Sequence, residues 1–393
     1  MRETAGIARS GEVVRSGVPL PRSLDMRDPN VLTLVDAAGI PVPAEFQVLA
    51  RWGAGRDADA PIQWLLVTFP ASVAANGSAT YRLVTDGSAG PNPVPAVAVN
   101  VTQTGNQITV DTGAATFRLG VNPGALFDEI RLANGTRLVS GSALTARVNS
   151  TDVAHPTTRR VALEHVGPLT AIVVVEGAYD LPPVGGGGLG SRRRYVFTAG
   201  SPTAIVRQRL RARRTDPPAF EVKVAGTTMS GSQADGGVLA VSGASGALAL
   251  ALNHMHRYEP QALRLLADGR LAVDMADDQV WLGARQGLFA TLAVSALADN
   301  PSRADLNRLV WAPLNRPLRA WPEPAWFAAS EAVDEIPAGP LPTDLADYDT
   351  LVSSVLITTL QKVDEKGLPG LMTFGVYPRY WGIPFYGDGE AAG

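Results

Sequence analysis

The chain has 393 residues and a formal net charge of -3, with 46% hydrophobic and 18% charged residues. This length suits two or three domains, and the small negative charge argues against a general nucleic-acid binder, whose affinity would rest on an excess of Lys and Arg. The sequence has no cysteine and only 4 histidines, which excludes disulfides, thiolate catalysis and cysteine-ligated zinc. No apolar run reaches the roughly 18 to 20 residues that span a bilayer, so no membrane partner is expected.

Residues 1–87 carry strand patterns separated by Pro and Gly and are predicted to form a small N-terminal β-barrel. From Phe46 to Trp52 one face is apolar and the other carries Gln47, Leu49 and Arg51, whereas the run from Ile62 to Phe69 is apolar on both faces. Two adjacent strands fit this pattern, and the second is predicted to be central. Residues 88–98 are rich in Pro and Gly and are predicted to be a linker.

Residues 99–310 are predicted to form a large antiparallel β-sandwich. Gly105-Asn106, Asn134-Gly135 and Asp268-Gly269 each separate two strand-like runs, and such pairs favour the positive φ that two-residue hairpins require. Further strands are predicted at 161–179, 194–213, 220–224, 238–241, 247–253 and 286–297.

The C-terminal part changes character twice. Residues 311–342 are dense in Pro and Trp and are predicted to be an extended linker lying across the sandwich. From 343 onward, apolar residues recur at helical spacing until Gly367 and Pro369, which predicts one amphipathic helix of about 20 residues. The predicted fold is therefore mostly β with one long C-terminal helix, and residues 343–393 hold that helix and a following loop.

Several segments resemble the exo-rhamnogalacturonan lyase-like proteins, polysaccharide lyase family 26 and relatives. They are Ala50-Arg51-Trp52 with the strand after it, the segment from His256 to Leu263, and the run Trp281-Leu282-Gly283-Ala284-Arg285. In that family a barrel and a β-sandwich precede a toroid of paired helices, so the C-terminal helix looks like the start of an α/α toroid. A complete toroid would need roughly 200 further residues.

The resemblance implies β-elimination on a uronate-containing glycan such as rhamnogalacturonan. Such a reaction needs a base for the proton α to the carboxylate, cationic groups that neutralise the carboxylate, and an acid for the leaving oxygen. The richest local set of suitable side chains lies from Asn253 to Tyr258. On a strand, His254, His256 and Tyr258 would share one face, with Arg257 on the other, so these four are the leading candidates. The alternative is that they are ordinary residues at a strand end.

A second candidate is a ladder of arginines, Arg207, Arg209, Arg211 and Arg213, which alternates with Val206, Gln208, Leu210 and Ala212. Such a row could bind the carboxylates of an acidic polysaccharide bidentately. Arg192, Arg193 and Arg194 are predicted to lie at the base of its hairpin partner. The alternative is a solvated face whose arginines pair across strands with Glu and Asp.

The third candidate set is the aromatic C-terminal tail. Tyr380, Trp381 and Tyr386 offer flat rings that could stack on sugar faces, and Arg379 could bind a carboxylate. The alternative is that these residues are packing groups.

Two functional hypotheses follow. The chain is part of a polysaccharide lyase, or it is a non-catalytic glycan-binding or structural module of a surface or fibre. Either hypothesis predicts an acidic polysaccharide as the partner, with self-association left open. No cofactor is expected, and nothing in the sequence supports a structural or substrate-bridging Ca²⁺. The resemblance favours an extracellular or periplasmic location, although residues 1–16 lack the apolar core of a signal peptide.

Overall fold

The fold was analysed in a computed structural model of the chain. It describes residues 1–53, 57, 59–122, 124–148, 151–153, 157–180, 188–212, 220–225, 232–235, 237–255, 261–267, 271–275, 287–333 and 343–365. Twenty-four strands dominate these residues, all of their ladders are antiparallel, and the α-helices lie towards the C-terminus, whereas two 3-10 turns (Arg22–Leu24 and Pro29–Val31) lie near the N-terminus. The predicted mostly-β fold is confirmed.

The N-terminal strands form two small sheets that enclose one core. The strands are β1 (Arg9–Pro19), β2 (Thr33–Val35), β3 (Pro41–Val42), β4 (Glu45–Arg51), β5 (Ile62–Val73) and β6 (Arg82–Val84). The sheets have the orders β1-β5-β4 and β3-β2-β6, so β5 is central, as its two apolar faces predict. Among the described residues no ladder joins the two sheets, so they share one core without closing into the predicted barrel.

The described residues in the middle of the chain form eighteen strands. They are β7 (Asn100–Thr104), β8 (Gln107–Asp111), β9 (Ala115–Leu119), β10 (Glu129–Leu132), β11 (Arg137–Val139), β12 (Ala143–Val148), β13 (Thr151–Val153), β14 (Thr157–Val166), β15 (Thr170–Asp180), β16 (Gly188–Thr198), β17 (Thr203–Ala212), β18 (Phe220–Ala225), β19 (Ser232–Asp235), β20 (Val238–Gly243), β21 (Gly246–Leu252), β22 (Ala262–Leu265), β23 (Leu271–Asp274) and β24 (Gly287–Leu297).

These strands form three sheets. Two five-stranded sheets have the orders β11-β10-β9-β8-β7 and β13-β12-β18-β23-β22, and an eight-stranded sheet has the order β14-β15-β16-β17-β24-β21-β20-β19. The hairpins predicted at Gly105-Asn106 and Asn134-Gly135 are present. Asp268 and Gly269 lie outside the described residues, but the flanking strands β22 and β23 pair as predicted.

The largest core lies between the eight-stranded sheet and the five-stranded sheets. Every second residue of the eight-stranded sheet points inward, and Tyr195 and Phe197 are fully buried. Phe117 lies 5.2 Å from Phe197 and Phe127 lies 5.4 Å from Tyr195, measured between ring centroids. These contacts between facing sheets make a sandwich, in agreement with the prediction.

Short helices cover part of the outer face of the eight-stranded sheet. They are α1 (Arg303–Leu306), a π-helical turn (Asn307–Trp311) and α2 (Ala312–Asn315). A capping box between Ser302 and Asp305 starts α1. Leu306, Val310 and Leu314 pack on small residues of β20, β21 and β24, so they shield this part of the face.

The predicted extended linker is partly helical. It contains the end of the π-helical turn, α2 and α3 (Pro324–Ser330), since Pro313 and Pro324 each lie in a first helical turn, where proline is tolerated. Trp326 Nε1 donates to the Pro19 carbonyl over 2.7 Å, and Leu318 enters the N-terminal core. The segment thus attaches to the N-terminal sheets.

The predicted long helix is confirmed as α4 (Ala346–Glu365). Its described apolar side chains, including Tyr348, Leu351 and Val355, are exposed. No helix in the described ranges combines the length and hydropathy needed to cross a bilayer.

Candidate functional site

The arginines of β17 lie on the outer face of the eight-stranded sheet. Val206, Gln208 and Leu210 are buried in the sandwich, whereas Arg207 and Arg209 are exposed. The alternation that predicted one arginine face is therefore present over the described part of β17. The backbone of Arg211 forms part of β17, but its side chain is not among the described parts of the chain. Arg213 lies outside the described residues.

Strand register places these arginines in two rows that run across the sheet. One row contains Val174, Arg194, Arg207 and Thr291, and the next contains Glu176, Arg192, Arg209 and Phe289. Neighbouring strands lie about 4.8 Å apart, so two arginines stand side by side within each row. The four guanidinium groups form one basic patch, here called the arginine face.

Two of the four arginines are paired across strands. Arg194 makes a two-nitrogen interaction with Glu164, with a shortest distance of 2.6 Å, and Arg192 lies 3.2 Å from Glu176. Hydrogen bonding to Arg194 lowers the pKa of the Glu164 carboxyl against the effect of burial. The alternative of cross-strand pairing thus holds for Arg192 and Arg194.

Arg207 and Arg209 differ from their neighbours. Within the part of the chain that the structure describes, neither has a carboxylate within 4.0 Å. They therefore present two exposed guanidinium groups whose donors bind no acceptor among the described residues, which is the form that bidentate recognition of an anion requires.

Arg193, the third arginine in the middle of β16, does not belong to the arginine face. It points into the sandwich, is 1% exposed, and donates to the Ala125 carbonyl. The prediction placed the three arginines at the base of the hairpin partner. Register instead puts them in the middle of β16, opposite residues 207–209, because β16 begins at Gly188, four residues before Arg192.

The prediction that residues 253–258 continue a strand is wrong at its start. β21 ends at Leu252, and His254 adopts a left-handed backbone with φ of 47°. The His254 N–H donates to Asn315 Oδ1 over 2.6 Å, so a contact with α2 turns the chain. His256, Arg257 and Tyr258 lie outside the described residues.

Both flanks of this candidate segment attach to β24 beside the arginine face. The Asn253 N–H donates to the Thr291 carbonyl over 2.8 Å, and Gln261 Nε2 donates to the Phe289 carbonyl over 3.0 Å. Thr291 and Phe289 end the two rows of the arginine face. The described flanks of the candidate segment, Asn253 and Gln261, thus adjoin the arginine face at β24.

The N-terminal sheet reaches the same outer face from the other side. The Glu45 carboxylate accepts from the Thr170 N–H and hydroxyl, both at 2.9 Å, from the Leu169 N–H, and lies 3.1 Å from His165 Nε2. Gly167 lies against this carboxylate, and a Cβ at that position would overlap it. Glu45 therefore docks the N-terminal sheet onto the turn between β14 and β15.

Arg15 is a functional candidate that sequence reasoning missed. It is half-buried on β1, and its Nε has no acceptor among the described residues. Burial lowers the pKa of the Arg15 guanidinium, and the charges of Arg194 and Arg207 lower it further, against the opposing effect of Glu45 and Glu164. No local signal marks Arg15, because Arg194 and Arg207 belong to strands more than 150 residues further along the chain.

The remaining candidates lie in the C-terminal tail. Arg379, Tyr380, Trp381 and Tyr386 lie outside the described residues. Among the described residues, no three or more Asp, Glu or His side chains come together as a metal site would require.

Comparisons with known proteins give a likeness of fold. No protein-family model matches the chain, and no curated protein matches its sequence. An alpha-mannosidase from Enterococcus faecalis V583 superposes with a TM-score of 0.50 at 11% identity, over 75% of this chain and 42% of that chain. A glycosyl hydrolase family 38 protein from Enterococcus faecalis gives a TM-score of 0.48 at 10% identity, over 75% and 44%.

The heparan sulfate lyase HepC from Pedobacter heparinus gives a TM-score of 0.36 at 11% identity, over 56% of this chain and 39% of that chain. At 11% identity, the likeness to the alpha-mannosidase is one of fold. The chain spans less than half of the length of each of these three proteins.

Proposed function

We propose that the protein is carbohydrate-active and binds an acidic, uronate-containing glycan on the arginine face. The observation that carries the proposal is that Arg207 and Arg209 are exposed, lie two residues apart on one strand, and have no acidic partner in the described part of the chain. A paired arginine would have to lose its existing partner before binding a carboxylate, whereas these two donate without that cost.

The surroundings of the two arginines suit a sugar chain. The Phe289 ring lies beside Arg209 in the same row and is 49% exposed. An aromatic face packs against apolar surface while neighbouring donors bind polar groups, which matches the mixed character of a uronate ring. The fold shared with an alpha-mannosidase also supports a carbohydrate ligand.

The finer proposal is that the reaction is β-elimination. Arg207 and Arg209 would neutralise the uronate carboxylate, which acidifies the proton on the adjacent carbon. His256 and Tyr258, assisted by His254, would remove that proton and protonate the leaving oxygen. The attachment of both described flanks of this segment to β24 supports the proposal, since β24 also pairs with the strand that carries Arg207 and Arg209.

Purified full-length chain incubated with a panel of acidic polysaccharides tests the proposal, with ultraviolet absorbance of unsaturated uronate products and binding followed together. We expect Arg209→Met to weaken glycan binding about 10- to 100-fold, the loss expected for hydrogen bonds to a charged group. Arg137→Met is the matched control, because Arg137 is exposed on β11 in another sheet, and it should bind as wild type does.

The two readouts separate the two hypotheses. A rising absorbance that is lost in His256→Ala supports the lyase. Binding that depends on Arg209 without product would support a glycan-binding module. Equal binding by wild type and Arg209→Met, or binding to none of the polysaccharides, would contradict a role for the arginine face.

A further inference from the structure

The N-terminal sheet and the eight-stranded sheet together surround Arg15. Register places Arg15, Thr68 and Glu45 directly opposite one another on β1, β5 and β4, so the three side chains share one face of the small sheet. Glu45 contacts the turn between β14 and β15. The small sheet therefore meets the eight-stranded sheet through the face that carries Arg15 and Glu45, and Arg15 lies near enough to Arg194 and Arg207 for their charges to act on it.

The acidic groups around Arg15 are already engaged. Glu45 is held by two backbone N–H groups, the Thr170 hydroxyl and His165. Glu164 binds Arg194 through two nitrogens. Within the described residues, no carboxylate lies within 4.0 Å of Arg15 or of Arg207.

The result is an excess of positive charge in a partly buried position. Arg15 Nε is shielded from solvent without an acceptor in the described part of the chain, and burial together with Arg194 lowers the pKa of Arg15. An unpaired charge in such a place is costly, and proteins retain it mainly where a counter-charge binds.

We propose that Arg15 and Arg207 form a subsite for one anionic group, which they bind between the N-terminal sheet and the arginine face. The ligand is a carboxylate or sulfate substituent of the acidic glycan, so the inference rests on the proposed function and names the group that this end of the site recognises. Arg207 approaches the group from the open side and Arg15 from the covered side. Planar guanidinium groups suit both oxyanions.

The inference assigns Arg15 a specificity role. A neutral sugar placed at this end would leave the Arg15 charge uncompensated, whereas an anionic one would neutralise it. The N-terminal sheet would then select for charge at a single position of the glycan, in addition to packing against the sandwich.

Titration with single anions tests the subsite without requiring a polysaccharide. The melting temperature of the full chain would be followed with inorganic sulfate, galacturonate or a sulfated monosaccharide, against sodium chloride at matched ionic strength. We expect saturable stabilisation of wild type, and an apparent Kd at least about tenfold weaker in Arg15→Met and in Arg207→Met. Arg137→Met should respond as wild type. Comparing the increase in melting temperature with galacturonate and with the sulfated monosaccharide shows whether the subsite prefers a carboxylate or a sulfate.

The anion-free state provides a second readout that a structural role for Arg15 would not reproduce. Because Arg15→Met removes an unpaired, partly buried charge and keeps an unbranched apolar chain, its melting temperature without anion should equal or exceed that of wild type. Arg207→Met changes an exposed residue and tests the subsite even if Arg15→Met folds poorly.

Equal sulfate responses in wild type and Arg207→Met would overturn the inference, as would a wild type that responds to sulfate no more than to chloride. If polysaccharide binding still depends on Arg209 in that case, the proposed function stands and only the subsite fails. If the anion response depends on Arg15 while no polysaccharide binds, the subsite stands and the proposed function fails.

Discussion

Glu3 lies at the centre of a buried charge cluster near the start of the chain. Its carboxylate accepts from three backbone N–H groups, those of Ala5, Ile7 and Asn76, and from Arg9 Nη2 over 3.1 Å. The side chains of Glu3 and Arg9 are each 1% exposed. Burial by itself would raise the pKa of Glu3, but these donors outweigh it and lower the pKa to about 2.

A pKa of about 2 in the folded chain, against 4.5 without these contacts, makes Glu3 a source of acid sensitivity. The folded state holds the Glu3 carboxylate ionised. The contribution of this carboxylate to the free energy of unfolding is therefore complete above pH 4.5 and is lost as the pH falls from 4.5 towards 2. We expect Glu3→Gln to lower the free energy of unfolding at pH 7 by about 3 kcal/mol, since it leaves Arg9 buried with one fewer partner.

Urea unfolding of wild type and Glu3→Gln between pH 3 and pH 7 measures this contribution. The stability difference should be constant from pH 5 to 7 and should narrow below pH 4.5. Thr102→Ala on β7 is a control at a site far from this cluster. A difference between wild type and Glu3→Gln that is as large at pH 3 as at pH 7 would show that the Glu3 charge is not the cause.

At the scale of elements, the turn that follows β9 depends on one glycine. Gly120 has φ of 99°, and a Cβ at this position would overlap the Asn106 carbonyl oxygen of the β7–β8 hairpin. By contrast, Gly135 in the β10–β11 hairpin has φ of 83° and open space around it. Replacement by alanine therefore introduces only backbone strain at Gly135. At Gly120 it introduces the same strain and a clash with the Asn106 carbonyl oxygen.

We expect Gly135→Ala to cost about 1 to 2 kcal/mol, the range for a left-handed backbone with a side chain. Gly120→Ala should cost about 3 kcal/mol or more, because the backbone of two turns must also move apart. Thermal unfolding of both variants compares the two costs. Equal losses at Gly120 and Gly135 would contradict the close packing of the two turns.

Local patterns predicted those elements whose structure is set by near neighbours. Asn134-Gly135 marks its hairpin because both residues tolerate positive φ, and the apolar faces of β5 mark a central strand. The end of β21 carried no such signal. His254 leaves the strand because Asn315, 61 residues away, binds its N–H, and a single sequence does not reveal a contact of that range.

Some features of the candidate site were likewise predictable from local sequence, and others depend on distant contacts. Alternation along β17 predicted that Arg207 and Arg209 share a face, since period 2 is a property of the strand itself. Which arginines are paired depends on Glu164 and Glu176 in neighbouring strands, and the approach of Arg15 depends on how two sheets pack. Those features follow from tertiary structure and had no counterpart in the pattern.

At the scale of the whole molecule, the segment after the sandwich completes the N-terminal core. Leu318 is 6% exposed within that core, and the Leu318 N–H donates to Glu12 Oε1 over 2.8 Å. We expect Leu318→Ala to destabilise the protein by about 2 to 5 kcal/mol, the usual cost of a cavity in a core. Hydrogen exchange should increase chiefly in β1, β4 and β5.

Trp321→Ala is the matched control for this prediction. Trp321 lies in the same segment but is 69% exposed, so its truncation should change stability by less than about 0.5 kcal/mol. Exchange that rises equally in the eight-stranded sheet would show that the segment stabilises the molecule as one unit, contrary to a local role in the N-terminal core.

The contact between Trp326 and Pro19 joins residues 307 positions apart, and this separation has a consequence during biosynthesis. A ribosome adding roughly 5 to 20 residues per second needs about 15 to 60 s to make the intervening chain. The N-terminal strands therefore emerge first and gain their last core residues after the sandwich has been translated. Until then the core surface that Leu318 covers stays open, so completion of this region waits for translation of the sandwich.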